Sequence, residues 1–279
     1  MLILLADSGS SKTSWLPIRD GKAQLVLTTR GINPVRDHLS ELQQVLADDL
    51  IPLLEYADEV REVHFFGAGC TPERIPEMQD LLQHFFPWAN IEVASDMLGA
   101  AIALCGHDEG IACILGTGSN SCLYDGRHIV QNISPLGWIL GDEGSGAVLG
   151  RSLIGDLLKG QLSHELYDRF VAVTGLTQAD IIDRVYRQPH ANTFLATLVS
   201  FIDQNKNNPE IHDFLLHHFG LFLRRNVLQY HREDLPVHFV GGVAWQFQNE
   251  IRQALADEGL VAGHFLKTPI ERLAPYFVS

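Results

Sequence analysis

Apolar and polar residues form alternating blocks at the start of the chain, and the blocks predict strands. Residues 1–6 are all apolar, a run too short to cross a membrane, and a polar run begins at Asp7. This change predicts a buried strand that enters a polar turn. Residues 13–18 and 23–29 also resemble strands, and they are joined through Asp20-Gly21, a dipeptide typical of tight hairpins. The sequence therefore predicts an N-terminal antiparallel meander.

Helix and strand patterns alternate after this meander. Apolar residues recur at helical spacing over residues 38–56, where Pro52 predicts a kink or a break. The following patterns predict a strand at 63–66, a helix at 75–86, a strand at 91–94 and a helix at 97–105. Strands that alternate with helices are expected to pair in parallel.

The N-terminal pattern begins again near residue 106. The apolar run 111–115 leads to Gly118-Ser119, and strands at 122–124 and 128–131 flank a second Asp-Gly hairpin. This is the order of the first meander with a shorter hairpin. This repeated order indicates an internal duplication of a βββαβα unit with weak sequence similarity. Such a duplication predicts two similar domains that face each other across a cleft. Each domain would contribute one phosphate-facing hairpin.

The second half adds helices to this repeat. Residues 147–158 are helical, and 163–231 are mostly helical with breaks, which is typical of an inserted helical layer. Further patterns predict a strand at 236–240, a helix at 246–258, a strand at 264–267 and a helix at 270–277. The consecutive histidines His217-His218 would point in different directions on a helix, which favours a structural role over a metal pair.

Charge and cysteine content narrow the classes of partner. The chain has 20 Lys and Arg against 34 Asp and Glu, a formal net charge of −14, and no basic run. This argues against nucleic acid and anionic membranes as partners. The N-terminus lacks the basic region and cleavage site of a signal peptide, so we expect a cytoplasmic protein. The cysteines are expected to be reduced core residues, since they form no C-x-x-C pair: Cys70, Cys105, Cys113 and Cys122.

The turn after the first strand has the composition of a phosphate-binding loop. Gly9 permits positive φ, and its small hydroxylated neighbours leave backbone N–H groups open to phosphate oxygens. Asp7 stands at the strand end, where a carboxylate can hold a hydrated Mg²⁺. A hairpin without a ligand would have the same local pattern, so this stretch alone leaves both interpretations open.

Further polar positions also carry two interpretations. Asn33 precedes a proline, which leaves its amide free for a ligand, but an ordinary helix-entry loop has the same pattern. Asp96, at a strand-to-helix junction, is either a helix N-cap or a catalytic base. Asp142 and Glu143 precede a helix, where they either complement its dipole or bind a polar ligand. Gly241-Gly242 would let a flat ring or a phosphate approach the backbone.

Three motifs in order make the chain similar to a known superfamily. Neither a Walker P-loop nor a G-x-G-x-x-G fingerprint follows the first strand. The segments Asp7-Ser-Gly-Ser-Ser-Lys-Thr13, Gly116-Thr-Gly-Ser119 and Val240-Gly-Gly-Val-Ala244 resemble the phosphate-1, phosphate-2 and adenosine motifs of the actin/hexokinase/Hsp70 ATPases. Additional segments resemble the N-acetylglucosamine kinase branch of the BadF/BadG/BcrA/BcrD ATPase family: Gly31-Ile-Asn-Pro34, Ser95-Asp96, Gly116-Thr-Gly-Ser-Asn120, Gly137-Trp138 and Gly141-Asp-Glu-Gly-Ser-Gly146. The resemblance covers nearly the whole chain.

This resemblance implies an α/β fold of two ribonuclease H-like domains and assigns roles to individual residues. Residues 1–105 would form one domain, completed by the C-terminal helix 268–279, and 106–267 the other, with the helical insertion. Asp7 would bind Mg²⁺ through water, and Asp96 would be the general base. The phosphates of ATP would contact Gly9, Ser10, Ser11, Lys12, Thr13, Gly116, Thr117 and Gly118, and its adenine side Gly241, Gly242 and Val243. The sugar would contact Asn33, Asn120, Trp138 and Asp142.

The implied activity is ATP-dependent phosphorylation of a hydroxyl of an amino sugar: N-acetylglucosamine, or N-acetylmuramate or glucosamine. Leu136 replaces a glycine common in the family, and Trp245 closely follows the adenosine motif; both departures bear on the identity of the sugar. Sugar and ATP are the expected partners, and a homodimer is left open. One alternative is an ATPase that activates a redox enzyme through an iron–sulfur cluster, which the cysteine spacing disfavours. Another is a non-catalytic sugar or nucleotide sensor, against which Asp7 and Asp96 argue.

Overall fold

The computed structural model describes residues 1–9 and 12–277, and the predicted phosphate-binding residues Ser10 and Ser11 lie outside this description. Within it the strands are β1 (Leu2–Ser8), β2 (Lys12–Arg19), β3 (Lys22–Ala23), β4 (Leu27–Arg30), β5 (Val60–Gly67), β6 (Asn90–Ser95), β7 (Gly110–Leu115), β8 (Ser119–Tyr124), β9 (Ile129–Ile133), β10 (Val237–Val240) and β11 (Ala262–Leu266). They form two sheets.

The α-helices cluster in the second half of the chain. They are α1 (Leu39–Gln44), α2 (Ile75–Phe85), α3 (Asp96–Cys105), α4 (Gly137–Leu140), α5 (Gly146–Leu158), α6 (His164–Thr174), α7 (Gln178–Tyr186), α8 (Ala191–Thr197), α9 (Val199–Gln204), α10 (Pro209–Arg225), α11 (Gly242–Gln246), α12 (Gln248–Asp257) and α13 (Ile270–Phe277). None of those described is long and apolar enough to span a bilayer.

The chain divides into two compact units. The N-terminal unit comprises Met1–Asp108, Gly126–Ile129 and the segment that begins at Thr268. The C-terminal unit comprises Glu109–Asp125 and Val130–Lys267. Each unit buries its own apolar cluster around its own sheet.

The two sheets have the same arrangement. In the N-terminal unit the order is β3-β2-β1-β5-β6, with β4 also paired to β2; β1 is antiparallel to β2 and parallel to β5. In the C-terminal unit the order is β11-β10-β7-β8-β9, with β7 antiparallel to β8 and parallel to β10. The predicted α/β class, with an antiparallel meander followed by parallel strands, is therefore confirmed in both sheets.

The first hairpin has the predicted turn, but its second strand is interrupted. Asp20 and Gly21 both have positive φ, 49° and 73°, as a two-residue hairpin requires. The single strand predicted at 23–29 is instead split into β3 and β4, so that prediction is wrong. The partner strand β2 carries Pro17, which has no N–H to donate to the ladder, and Leu25 in the interrupted segment is 85% exposed, so burial does not hold this segment in the sheet.

Two predicted helices have different limits in the structure. The helix predicted at 38–56 is α1, which continues as a π-helix at Val45–Leu50 and a 3₁₀ turn at Ile51–Leu53 containing Pro52. The helix predicted at 246–258 is divided into α11 and α12, and it begins four residues early, at Gly242. Phe247 separates the two halves with its side chain fully buried, so the backbone bends to direct this ring into the core.

The four cysteines are buried and form no disulfide, which agrees with their prediction as reduced core residues. Burial raises the pKa of the Cys70 and Cys105 thiols to about 12. The nucleophilic thiolate form is therefore scarce at neutral pH.

His218 is a buried titratable group on α10. Its side chain is 9% exposed, and its ring lies 4.4 Å from that of Phe214. Burial, with smaller contributions from His217 and Arg151, lowers its pKa from the ordinary 6.5 to about 4. The folded protein therefore holds this imidazole neutral in mildly acidic solution, where an unfolded chain would protonate it.

This difference predicts acid sensitivity of the fold. Stability is full above pH 6.5 and decreases as the pH falls towards 4, because only the unfolded state takes up the proton in this interval. We expect His218 to lower the free energy of unfolding by about 2 kcal/mol at pH 5 relative to pH 7. Urea unfolding at both pH values tests this: His218→Gln should lose that part of the pH dependence, and His217→Gln, at the exposed neighbour, should keep it.

Candidate functional site

Asp7 and Asp96 lie at the carboxyl edge of the N-terminal sheet. β1, β5 and β6 run parallel, and Ser8, Gly67 and Ser95 are aligned across them. Asp7 is the penultimate residue of β1, and Asp96 follows the last residue of β6. The carboxyl edge of parallel strands is where α/β folds bind ligands.

The negative charge of Asp96 acts on Asp7. Burial and the negative charge of Asp96 raise the pKa of Asp7 to about 7, although the positive charge of Lys12 acts to lower it. Burial also raises the pKa of Asp96 to about 6, although the backbone N–H donors at the start of α3 act to lower it. Lys12 is the cation that lowers the pKa of Asp7. A bound cation would relieve the repulsion.

Ser95, not Asp96, caps helix α3. The Ser95 hydroxyl accepts a hydrogen bond from Leu98 N at 3.3 Å, and Asp96 is the first helical residue. One Asp96 oxygen, Oδ1, accepts from Met97 N at 2.9 Å, which fixes the carboxylate at the helix start. The N-cap interpretation of Asp96 is therefore wrong, because the preceding hydroxyl already performs this role.

A close helix–strand contact sets the position of Asp96. A Cβ added to Gly99 would lie 2.7 Å from the Phe66 side chain, so α3 approaches β5 more closely than a larger residue allows. Phe66 is on the strand that neighbours Asp7. The sequence predicted the helix but did not indicate this requirement for glycine.

The N-terminal hairpin is closed by Gly9 N, which donates to Lys12 O at 3.0 Å. The Thr13 hydroxyl is fully buried, lies 2.7 Å from Ser8 Oγ and is 3.2 Å from Arg30 O. Thr13 therefore supports the turn from within; its predicted contact with phosphate stays a prediction. Sequence reasoning missed Ser8, whose hydroxyl also bonds both backbone groups of Ile32, at 3.0 and 3.1 Å.

Asn33 organises the loop that follows β4. Its Oδ1 accepts from Val35 N at 3.1 Å and Arg36 N at 3.2 Å, which is an Asx turn. Gly69 lies directly against it with a φ of +79°, and a Cβ there would overlap Asn33 Oδ1. The contact joins the Asn33 loop to the carboxyl end of β5, beside Asp7.

The second glycine hairpin lies in the C-terminal unit. Gly116 N donates to Gly118 O at 2.9 Å, and the carbonyls of Gly116 and Thr117 accept from Gly146 N and Ala147 N at 2.8 and 3.1 Å. The first turn of α5 thus holds the hairpin in place. A Cβ at Gly116 would meet only Gly118 O, at 4.0 Å, so one side of the hairpin is open.

Asp142 faces this hairpin, and Glu143 does not. Asp142 has a φ of +52°, is 9% exposed, and would lie 3.1 Å from a Cβ at Gly118. Burial raises its pKa to about 6, although Ser119 N donates to it. Glu143 instead pairs with Arg225 Nε at 2.6 Å and accepts from Asn226 at 3.3 Å. Glu143 is therefore structural, while Asp142 is placed beside the predicted phosphate hairpin.

The other two predicted sugar contacts also lie in the C-terminal unit. Asn120 Oδ1 accepts from Ser121 N at 2.9 Å and from Asn132 Nδ2 at 2.8 Å. Trp138, in α4, is partly buried against the core, and its carbonyl accepts from Arg151 at 2.5 Å. These bonds fix both residues, and their contact with a sugar stays a prediction.

Gly241 begins a turn that only glycine can form. Its φ is +120°, and a Cβ there would overlap the carbonyl of Leu115, the residue before the Gly116 hairpin. At Gly242 a Cβ would meet nothing within 4 Å, whereas the Val243 side chain is buried in the core. The predicted adenosine and phosphate-2 motifs are therefore in contact. Val243 can face a nucleotide only through its backbone.

Comparison with known proteins places this geometry in context. The chain matches no family model and no curated protein. It is similar to the crystal structure of a putative N-acetylglucosamine kinase from Porphyromonas gingivalis, with 49% identity over 99% of this chain and 98% of that one, and a TM-score of 0.96. A putative N-acetylglucosamine kinase from Chromobacterium violaceum matches at 21% identity over 99% of this chain and 98% of that one, with a TM-score of 0.73.

A ROK family glucokinase from Streptomyces griseus, solved with glucose and AMPPNP, is similar at 13% identity. The match covers 100% of this chain and 97% of that one, with a TM-score of 0.63. At this identity, as for the Chromobacterium protein, the similarity shows a shared fold and no more.

Proposed function

Since the chain belongs to the same family as the putative N-acetylglucosamine kinase of Porphyromonas gingivalis, we propose that it is an ATP-dependent sugar kinase. The proposed acceptor is a hydroxyl of an amino sugar, with N-acetylglucosamine as the first candidate. We further propose membership of the BadF/BadG/BcrA/BcrD ATPases. In this proposal, residues 1–105 with the C-terminal helix 268–279 act as one domain and residues 106–267 as the other.

One observation supports the chemistry of the proposed kinase. Asp7 and Asp96 lie at the carboxyl ends of β1 and β6, close enough for the charge of Asp96 to raise the pKa of Asp7. Phosphoryl transfer to an alcohol requires a carboxylate at the metal and a second one within reach of the attacking hydroxyl. This pair supplies one carboxylate for each requirement.

The residues around Asp7 fit a hydrated Mg²⁺. Its carboxylate is next to a second negative charge and to a backbone turn closed by Gly9, and burial raises its pKa. No group of three or more potential ligands for a metal occurs in the described part of the chain. A single carboxylate with waters and substrate phosphates is the usual binding mode for Mg²⁺. Mg²⁺ bound there would neutralise phosphate charge, and Asp7 would hold it through water.

The protein's own groups have separate roles in the proposed reaction. Asp96 takes the proton of the sugar hydroxyl as that oxygen bonds to the γ-phosphorus and ADP leaves. Its raised pKa of about 6 leaves it ionised at neutral pH and a stronger base than an ordinary aspartate. The hairpins at Gly9 and Gly116 present backbone N–H groups to the phosphates, and Asn33 and Asp142 orient the sugar.

The proposal predicts that ADP release from Mg-ATP depends on one sugar. The assay compares N-acetylglucosamine, N-acetylmuramate, glucosamine, glucose and no sugar at equal concentrations. We expect at least about a tenfold stimulation by N-acetylglucosamine over no sugar, because an aligned acceptor replaces water as the nucleophile. Detection of the phosphorylated sugar by mass spectrometry must accompany it.

The other outcomes of this assay are equally informative. Stimulation by glucosamine or N-acetylmuramate alone would retain the kinase and correct its acceptor. Equal, slow hydrolysis in every tube would contradict the kinase proposal. The Asp96→Asn variant serves as the control, because contaminating kinase activity would persist in it.

A further inference from the structure

A pocket of about 490 Å³ lies between helices α5 and α10 of the C-terminal unit. Its lining includes Ser152, Gly155 and Asp156 on α5, Lys159 directly after α5, and Glu210, Asp213, Phe214, His217 and His218 on α10, so that lining residues recur at intervals of three or four. This spacing places them on the facing sides of the two helices. The volume lies within the range of small-metabolite sites. None of the predicted kinase residues lines this pocket.

His218 lines the pocket with ring nitrogens that have no partner among the described residues. Its side chain is more than nine-tenths buried, at 9% exposure, and lines the cavity. Neither ring nitrogen has a hydrogen-bond partner among residues 1–9 and 12–277. In that part of the chain, every side-chain nitrogen or oxygen that is fully enclosed has a hydrogen-bond partner. Since the two ring nitrogens of His218 have none, they are not fully enclosed. A largely buried imidazole whose nitrogens are accessible at the wall of a cavity can bond a ligand that donates or accepts a hydrogen bond there.

The charged side chains of the lining indicate the sign of the ligand's charge. Asp156, Glu210 and Asp213 supply three carboxylates, and Lys159 is the only side chain of the lining that is always cationic. Asp156 and Asp213 have no hydrogen bond or ion pair through their carboxylates within the described residues, and burial raises the pKa of Asp156. A positive ligand charge would therefore interact favourably with this lining.

Aromatic and neutral groups favour an organic cation over a bare ion. Phe214 is buried in the pocket wall with its ring 4.4 Å from that of His218, and aromatic faces attract alkylammonium groups. The described residues contain no group of three or more His, Cys, Asp or Glu side chains that could hold a metal ion. We propose that the pocket between α5 and α10 binds a small organic cation, an alkylammonium compound, whose ammonium group lies between the carboxylates and the His218 ring.

A charge series on one carbon skeleton tests this proposal. Isothermal titration calorimetry would compare 1,4-diaminobutane, 1,4-butanediol and succinate at fixed ionic strength. We expect the diamine to bind at least tenfold more tightly than the diol, and no binding of succinate. Equal affinity of the diamine and the diol, preference for succinate, or no binding of any of the three would overturn the proposal.

Variants locate the binding within the pocket. Asp213→Asn, at an exposed side chain, should weaken diamine binding about tenfold. Asp257→Asn removes the same charge on the same unit outside the pocket, and it should leave diamine binding unchanged.

Gly155→Met should abolish binding, because a Cβ at Gly155 meets nothing within 4 Å and a longer side chain would enter the pocket. Gly155→Ala should retain binding. Wild-type affinity in Gly155→Met would show that the diamine binds elsewhere. The binding does not depend on kinase activity, so either proposal can fail alone.

Discussion

Asp96→Asn is expected to lower kcat for sugar phosphorylation by at least about a hundredfold, because loss of a general base typically costs that much or more. The binding of ATP and sugar should change little. Asparagine keeps the oxygen that accepts from Met97 N, and Ser95 caps α3 independently, so the helix should begin where it does now. The change removes the basic oxygen and a charge beside Asp7. Steady-state kinetics with calorimetric affinities for both substrates measure the two effects separately.

Glu92→Gln is the matched control for this prediction. Glu92 is on β6, the strand that leads to Asp96, but its side chain is 64% exposed and pairs with His64 on the sheet surface. Removing its charge should leave kcat within about twofold of wild type, since this exposed carboxylate is not among the predicted site residues. If Asp96→Asn kept full turnover, another group would have to accept the proton, and the assignment of Asp96 as base would be wrong.

Much of the fold follows from local patterns in the sequence. The runs at 1–6 and 111–115 are apolar because their strands are central in a sheet and covered on both faces, and such runs are easily recognised. Asp20-Gly21 specified its hairpin because both residues tolerate positive φ. The prediction failed where tertiary contacts decide the backbone, as at Phe247, whose burial divides one helical pattern into two helices.

The sequence allowed the predicted site residues to be placed at strand ends and turns, but it did not indicate the contacts that support them. Asp7, Asp96 and the glycine turns stand directly after apolar runs, so their positions at strand ends can be inferred from order alone. The contacts Ser8–Thr13, Asn33–Gly69 and Asp142–Gly118 join residues that are 5, 36 and 24 positions apart. Only the folded chain shows that Glu143 is bound by Arg225 while its neighbour Asp142 faces the hairpin. Periodicity gives no information on such pairings.

Gly241→Ala is expected to destabilise the protein and to abolish nucleotide binding. The φ of +120° lies in a region that alanine rarely adopts, and the added methyl group would overlap the carbonyl of Leu115. A backbone atom in a buried strand cannot move aside as a flexible side chain can. Strain and overpacking each cost about 1–3 kcal/mol, so we expect a loss of about 2–6 kcal/mol in unfolding free energy. Thermal unfolding without ligand should show a Tm lower by about 5–20 °C.

Gly242→Ala distinguishes backbone strain from simple loss of a glycine. A Cβ at this position meets nothing within 4 Å, and the residue is the first of helix α11, where alanine is favourable. Its Tm should therefore equal or exceed that of wild type. An unchanged Tm in both variants would mean that the Gly241 turn has another conformation in solution. A normal Tm in Gly242→Ala with weakened ATP binding would instead place the nucleotide against this turn, because the new methyl group occupies space that the fold leaves open.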